Sequence, residues 1–249
     1  MDGKRVKSGI VGLDKLIGGG FLKGSMIDLA GSEGTFKSTF GLQFAVEGIK
    51  NGEKVVYLSF EEPKTGFERN AQMLGWQKEF SKIDFKVLDT DELFEDIRGE
   101  SLKGNDITEA LAARLLREID SPDRVIIDTL TTIAVYGTRT TLRPTAGQHY
   151  DYLTPSGGDV RSMLYHIVDK LRSKNITALL LAESGEGALY MPEEILKYVS
   201  DVKIELKKTT LGTEAPRTIT LHKVRYTAHP LDEMVLKLGK TGLEVKSLA

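Results

Sequence analysis

Residues 26–39, MIDLAGSEGTFKST, combine a mostly apolar run, a glycine-bearing turn and the first residues of a helical pattern. Met26–Ala30 has the length and composition of a buried strand. After the turn, apolar residues recur at helical spacing through Leu42–Ile49. A strand, a tight turn and a helix in this order are typical of a parallel sheet covered by helices.

The turn matches the phosphate-binding pattern G-x-x-x-x-G-K-[ST] at Gly31, Lys37 and Ser38. In such a loop, backbone N–H groups and the helix N-terminus surround the anion. The lysine reaches the β- and γ-phosphates, and the hydroxyl ligates Mg²⁺. We therefore predict that the chain binds ATP and Mg²⁺, with Ser38 as a metal ligand. The predicted nucleotide-binding residues are Gly31, Ser32, Glu33, Gly34, Thr35, Phe36, Lys37, Ser38 and Thr39.

Phe36 stands where this pattern has its second glycine. That glycine lets the loop pass close to the phosphates without a Cβ in the way. A phenylalanine there requires a backbone that tolerates a Cβ and a ring directed away from the phosphates. The sequence leaves open an impaired site, a loop rebuilt around the ring, and an ordinary glycine-rich turn.

Three carboxylates follow predicted strands at positions that suit nucleotide chemistry. Asp128 ends the apolar strand Val125–Asp128, where it is predicted to hold a water on Mg²⁺. Glu61 and Glu62 follow the strand Val55–Phe60, where a carboxylate can orient and deprotonate the water that attacks the γ-phosphorus. The alternatives are a capping aspartate and two solvated glutamates. The presence of Lys37 in the same chain favours the catalytic interpretation.

Lys223 and Arg225 lie near the end of another predicted strand, Thr218–Val224. Alternation along a strand places them on the same side. Two adjacent cations can hold a γ-phosphate, as an arginine finger does. We therefore predict a catalytic role for both, with a solvated surface pair as the alternative.

The remaining patterns predict one α/β domain over residues 1–249. Strands alternate with helices up to Asp201, which predicts a mostly parallel sheet with helices on its faces. After Asp201, strands follow one another without helices, which predicts an antiparallel extension along one edge. The predicted strands outside the phosphate-loop region are Val55–Phe60, Phe85–Asp89, Val125–Asp128, Thr177–Ala182, Val202–Leu206, Thr218–Val224 and Met234–Leu238.

Composition favours a cytoplasmic protein. The 249 residues carry a net charge of −2, which gives no general attraction to nucleic acid or to a membrane surface. The absence of cysteine excludes disulfides and thiolate metal sites. The N-terminus lacks the apolar core of a signal peptide, and no apolar run is long enough to predict a spanning helix.

A long irregular segment, Thr131–Gly158, interrupts the regular alternation. A loop of this length in a compact domain is usually functional or mobile. Its cations and aromatic residues could contact single-stranded DNA by charge and stacking, although the acidic chain makes this the weaker interpretation. The alternative is a loop that packs between subunits or a disordered loop. The residues concerned are Tyr136, Arg139, Arg143, His149, Tyr150 and Tyr152.

In their order along the chain, these motifs resemble the KaiC-like ATPases of the RecA superfamily (RadA-related). The resemblance covers almost the whole chain, and Phe36 and the long segment depart from it. It is carried by the phosphate loop and by Ser8–Phe21, Phe60–Pro63, Arg69–Ala71, Leu74–Trp76, Val125–Thr131, Thr177–Glu183, Lys223–Arg225, His229–Pro230 and Leu238–Val245.

The resemblance implies a RecA-like core that binds ATP at a subunit interface, usually in a hexameric ring. It implies Glu61 and Glu62 as catalytic glutamates, with Lys223 and Arg225 reaching the γ-phosphate of a neighbouring subunit. The leading hypothesis is a homo-oligomeric switch or assembly factor, able to bind a protein partner, with slow Mg²⁺-dependent ATP hydrolysis. The alternatives are a pseudo-ATPase disabled by Phe36 and a recombinase paralogue that binds single-stranded DNA.

Overall fold

The computed structural model describes residues 3–89, 92–93, 105–133, 157–185, 191–208 and 216–247. Most of the segment Thr131–Gly158 lies outside these ranges, and so do all six of its residues singled out for DNA contact. The DNA interpretation therefore stays a prediction.

A nine-stranded sheet forms the centre of the described structure, in the order β11-β10-β9-β8-β3-β7-β6-β4-β5. The six strands from β8 to β5 run parallel, and β9, β10 and β11 extend the sheet antiparallel beyond β8. A separate two-stranded ribbon joins β1 to β2. The strands are β1 Arg5–Val6, β2 Phe21–Leu22, β3 Met26–Gly31, β4 Val55–Ser59, β5 Asp84–Val87, β6 Arg124–Asp128, β7 Thr177–Glu183, β8 Val202–Lys208, β9 Arg217–Val224, β10 Met234–Gly239 and β11 Gly242–Ser247.

Helices cover both faces of this sheet, so the predicted architecture is confirmed. On one face the core includes α2, α3 and α4, and on the other it includes α5, α6 and α7. Within the described ranges, no helix has the length and apolar character needed to cross a membrane. The helices are α1 Leu13–Leu16, α2 Lys37–Lys50, α3 Lys64–Met73, α4 Gln77–Phe80, α5 Asn105–Arg117, α6 Gly157–Ser173 and α7 Met191–Val199.

Several observed elements were not predicted from the sequence, among them the β1–β2 ribbon and helices α1, α3, α4 and α7. The β1–β2 ribbon has two residues in each strand, too few to give a periodic pattern. Helix α7 has only nine residues, and its second residue is Pro192. Proline is tolerated in the first turn of a helix but disfavoured in its interior, so it weakens a helix prediction. Short elements of this kind depend on tertiary contacts more than on local pattern.

A fully buried arginine holds α2 against the start of β6. Both Nε and Nη2 of Arg124 donate to the Glu53 carboxylate, at 2.7 and 2.9 Å. Its Nη1 donates to the carbonyls of Phe44 and Lys7, and its guanidinium lies 4.1 Å from the Phe44 ring centroid. Helix α2 approaches so closely that a Cβ on Gly48 would lie 2.8 Å from Nε of Arg124. Arg124 therefore fixes the helix that follows the phosphate loop.

We expect Arg124→Met to lower the free energy of unfolding by about 3–5 kcal/mol, since it leaves a carboxylate and two carbonyls without their donor. Urea unfolding followed by circular dichroism measures the change. The control is Lys54→Ala, which breaks the exposed 3.6 Å ion pair with Asp120 and is expected to change the same quantity by less than about 1 kcal/mol. Equal effects of the two substitutions would contradict an anchoring role for Arg124.

Candidate functional site

The phosphate loop joins the carboxyl end of β3 to the first residue of α2. Lys37 is buried, and its Nζ donates to the carbonyls of Gly31 and Ser32, at 2.8 and 3.0 Å. The Thr35 hydroxyl donates to the same Ser32 carbonyl at 2.7 Å. Two side chains of the loop therefore donate hydrogen bonds to the loop's own carbonyl groups. These bonds fix the path of its backbone.

Phe36 caps α2 in a left-handed backbone conformation, with φ 74° and ψ 24°. A non-glycine residue in this region costs about 1–2 kcal/mol. The ring is half-buried and packs against the core beneath the sheet. Its exposed side lies under Arg217, whose guanidinium carbon is 4.1 Å from the ring centroid. The backbone at Phe36 thus keeps the left-handed geometry that glycine adopts freely, and packing and stacking hold the ring.

The two residues predicted to hold Mg²⁺ lie together. Asp128 is buried at the end of β6, where Tyr57 donates a hydrogen bond of 2.7 Å to its Oδ2 and the Ser38 side chain lies close to its carboxylate. Burial raises the pKa of Asp128 to about 6, and the interactions with Tyr57 and Ser38 act in the opposite direction. A hydroxyl and a carboxylate beside a phosphate loop fit Mg²⁺, which prefers oxygen ligands and keeps several waters and substrate phosphates. Within the described ranges, no group of three or more His, Cys, Asp or Glu side chains is arranged to hold a metal ion.

The two adjacent glutamates after β4 have different environments. Oε1 of Glu61 accepts a 3.2 Å hydrogen bond from the Thr129 hydroxyl and another from Thr132, both just beyond Asp128. Glu62 turns towards the start of α3, where a Cβ on Gly66 would lie 2.0 Å from its Oε1. Desolvation raises the pKa of Glu62. Glu61 is therefore the carboxylate held beside the end of β6.

One lysine and several carboxylates lie together at the carboxyl ends of the parallel strands. Burial lowers the pKa of Lys37, while Glu183, Asp128 and Glu61 act in the opposite direction. Glu183 ends β7 and pairs in register with Gly31 of the loop. The structure therefore brings Lys37, Asp128 and Glu61 into one electrostatic environment, as an ATP site requires.

Several residues of this site were missed in the sequence. Glu183 carries a usable signal, because it is a carboxylate at a strand end like Asp128. Thr129 and Thr132 follow Asp128 directly, but their contact with Glu61 joins residues about 70 positions apart. Tyr57 is one residue of an apolar run, and the sequence does not indicate that its hydroxyl donates to Asp128.

Lys223 and Arg225 lie at the amino ends of the parallel strands, opposite the carboxyl ends where the phosphate loop lies. Lys223 pairs with Lys203 near the start of β8, and its Nζ donates to the Lys197 carbonyl at 2.7 Å. Arg225 follows the last residue of β9, and its Nη1 lies 3.1 Å from Oδ1 of Asp201. The backbone N–H of Asp201 donates to the carbonyl of Met26, the first residue of β3. The two cations therefore lie near the start of β3, whereas the phosphate loop follows its last residue, Gly31. They do not reach the loop of their own chain.

We expect Phe36→Gly to tighten ATP binding about five-fold or more, since glycine holds the left-handed geometry without strain and removes the Cβ from the loop. Its melting temperature is expected to fall, because the contacts of a half-buried ring are lost. Calorimetric titration and thermal unfolding of the same variant measure the two effects. Weaker binding with a sharp loss of stability would mean that the loop needs the ring to keep its shape.

Comparison with known proteins places these motifs in one family. The family model described as "ATPase: KaiC" matches residues 6–157 and 149–249. The circadian clock protein KaiC3 of Synechocystis sp. is 28% identical over 253 residues, which are 99% of this chain and 46% of that protein. The circadian clock oscillator protein KaiC of Parathermosynechococcus lividus is 29% identical over 246 residues, 96% of this chain and 42% of that protein. The chain thus spans about half the length of the curated relatives that it matches.

A solved structure shares the fold over nearly the whole chain. The KaiC-like protein of the hyperthermophilic archaeon Pyrococcus horikoshii OT3 superposes with a TM-score of 0.70. Its sequence identity is 24%, and the match covers 98% of this chain and 99% of that one. The sheet order and the antiparallel edge described above are therefore those of a KaiC-like, RecA-type fold.

Proposed function

The chain belongs to the KaiC ATPase family and is a RecA-type ATP-binding protein, and we propose that it hydrolyses ATP slowly, with Mg²⁺, at sites shared between identical subunits. One observation carries the proposal: Lys37, the Ser38–Asp128 pair and Glu61 meet at the carboxyl ends of β3, β6 and β4. In open α/β sheets, ligands bind at this edge.

Each group has a role in phosphoryl transfer. Lys37 would contact the β- and γ-phosphates, while Ser38 and Asp128 would hold Mg²⁺. Bound Mg²⁺ neutralises phosphate charge. Glu61 orients and deprotonates the attacking water, because Thr129 and Thr132 fix its carboxylate beside Asp128. Glu62, which faces α3, remains a second candidate for this step.

The position of Lys223 and Arg225 supports an oligomer. Both lie at the amino ends of the parallel strands, away from the phosphate loop, so they can contact only a nucleotide that is bound to another subunit. A ring in which each subunit offers its cations to the next brings them to the γ-phosphate. Hydrolysis coupled to such an interface suits a regulatory switch or an assembly factor, with a hexamer as the size that the family resemblance implies.

We expect the chain to bind ATP in the presence of Mg²⁺ and Lys37→Ala to lose this binding, because the loop loses its point charge on the phosphates. Calorimetric titration with and without Mg²⁺ measures the affinity. The control is Lys50→Ala, an exposed residue at the other end of α2, which is expected to bind like the parent. Binding by Lys37→Ala with parental affinity would refute the loop assignment. Binding without hydrolysis in the parent would favour a pseudo-ATPase.

Mixed oligomers test whether the site is shared. Glu61→Gln and Arg225→Ala should each be inactive alone, because each removes one half of every site. A mixture of the two should regain part of the ATPase rate at interfaces that pair two intact halves, as followed by phosphate release. If mass spectrometry shows mixed oligomers that remain inactive, the two residues do not act across an interface.

A further inference from the structure

Arg217, the first residue of β9, contacts the phosphate loop of its own chain at two points. Its Nε donates a 2.7 Å hydrogen bond to the carbonyl of Gly34. Its guanidinium lies over the ring of Phe36, with the guanidinium carbon 4.1 Å from the ring centroid. A strand of the antiparallel edge thus reaches the loop that follows β3.

The hydrogen bond and the stack act on neighbouring parts of one strained turn. Gly34 and Phe36 both have a φ of 74°, and only the first of them is a glycine. Phe36 also caps α2, and its carbonyl accepts the N–H of Phe40. The backbone at Phe36 therefore sets the direction of α2 and of Lys37, the first residue of that helix. Any contact that holds Phe36 also orients the lysine that the phosphates need.

An arginine suits this position better than a lysine. The planar guanidinium can lie flat on a ring while an N–H in its plane donates to a carbonyl. A lysine ammonium lacks the plane, so it cannot make both contacts in this geometry. The same strand carries Lys223 near its other end. Strand β9 therefore runs from the chain's own loop to the cations at the amino ends of the parallel strands.

We propose that Arg217 is a positioning residue of the nucleotide site: it holds Phe36 in the left-handed conformation and so maintains the binding geometry of the loop. This inference rests on the proposed nucleotide-binding function. It requires that most of the effect of Arg217 pass through the stack on Phe36 rather than through the hydrogen bond to Gly34, because a glycine at position 36 takes the same conformation unaided.

A double-mutant cycle between positions 217 and 36 tests the proposal. Arg217→Ala should weaken the binding of a non-hydrolysable ATP analogue with Mg²⁺ about ten-fold in the parent, and less than about two-fold in the Phe36→Gly background. Arg217→Lys should regain less than half of that loss, since it keeps the charge without the stack. The control Arg117→Ala, at an exposed position on α5 without an ion pair or hydrogen bond to a described residue, should bind like the parent.

Hydrogen exchange of the nucleotide-free protein gives a readout that does not depend on binding. Arg217→Ala should speed exchange at the amides of residues 31–38 in the parent background and speed it much less in the Phe36→Gly background, where only the hydrogen bond to Gly34 is lost. Melting temperatures within a few degrees of the respective backgrounds would confirm that the variants fold.

Two results would overturn the proposal. An equal loss of affinity in both backgrounds, with rescue by Arg217→Lys, would mean that Arg217 acts on the nucleotide directly by its charge. Unchanged exchange of the loop amides in Arg217→Ala would mean that the residue does not hold the loop. Absence of nucleotide binding in the parent would refute the proposed function instead, and the exchange experiment would still decide whether Arg217 positions Phe36.

Discussion

The left-handed backbone at Phe36 is the constraint on which the nucleotide site depends. Strand β3 must leave the sheet, turn and continue as α2 across its face, and the turn uses positive φ at Gly34 and Phe36. A β-carbon makes this conformation costly at Phe36, so the surrounding structure has to stabilise it. Packing of the ring against the core and stacking of Arg217 provide that stabilisation. The direction of α2, and with it the position of Lys37, follows from this turn.

Burial then determines the electrostatics around the loop. Asp128 is almost inaccessible to water, and a buried carboxylate needs partners to remain charged. Tyr57 donates a hydrogen bond to it, and Ser38 and Lys37 lie close enough to favour its charged form. Glu61 stays at the rim of this region, held by two threonine hydroxyls. A carboxylate in that position can reach water, whereas the buried Asp128 suits a metal shell.

The antiparallel strands place cations at the end of the domain opposite the phosphate loop. The loop lies at the carboxyl ends of the parallel strands, and Lys223 and Arg225 lie where those strands begin. Asp201 ties Arg225 to the start of β8 and bonds to Met26 at the start of β3. Strand β9 runs between the two ends, with Arg217 at the loop and Lys223 near Asp201. In the proposed oligomer, each subunit binds one nucleotide at its loop and offers its cations to the nucleotide of a neighbour.

The sequence by itself determined the fold class, the phosphate loop and the strand-end carboxylates, because these depend on patterns within short segments: apolar periodicity, glycine spacing and charge at strand ends. Contacts between distant segments were decided only by the tertiary structure. Three such contacts join different elements. The Lys203 ammonium of β8 faces Asp28 within the apolar β3. Thr129 and Thr132 hold Glu61, and Arg217 stacks on Phe36. The sequence also placed Lys223 and Arg225 in one strand region but did not show at which end of the parallel strands they lie. The antiparallel direction and the register of β9 against β8 decide this, and strand pairing results from packing of the whole domain rather than from any local pattern.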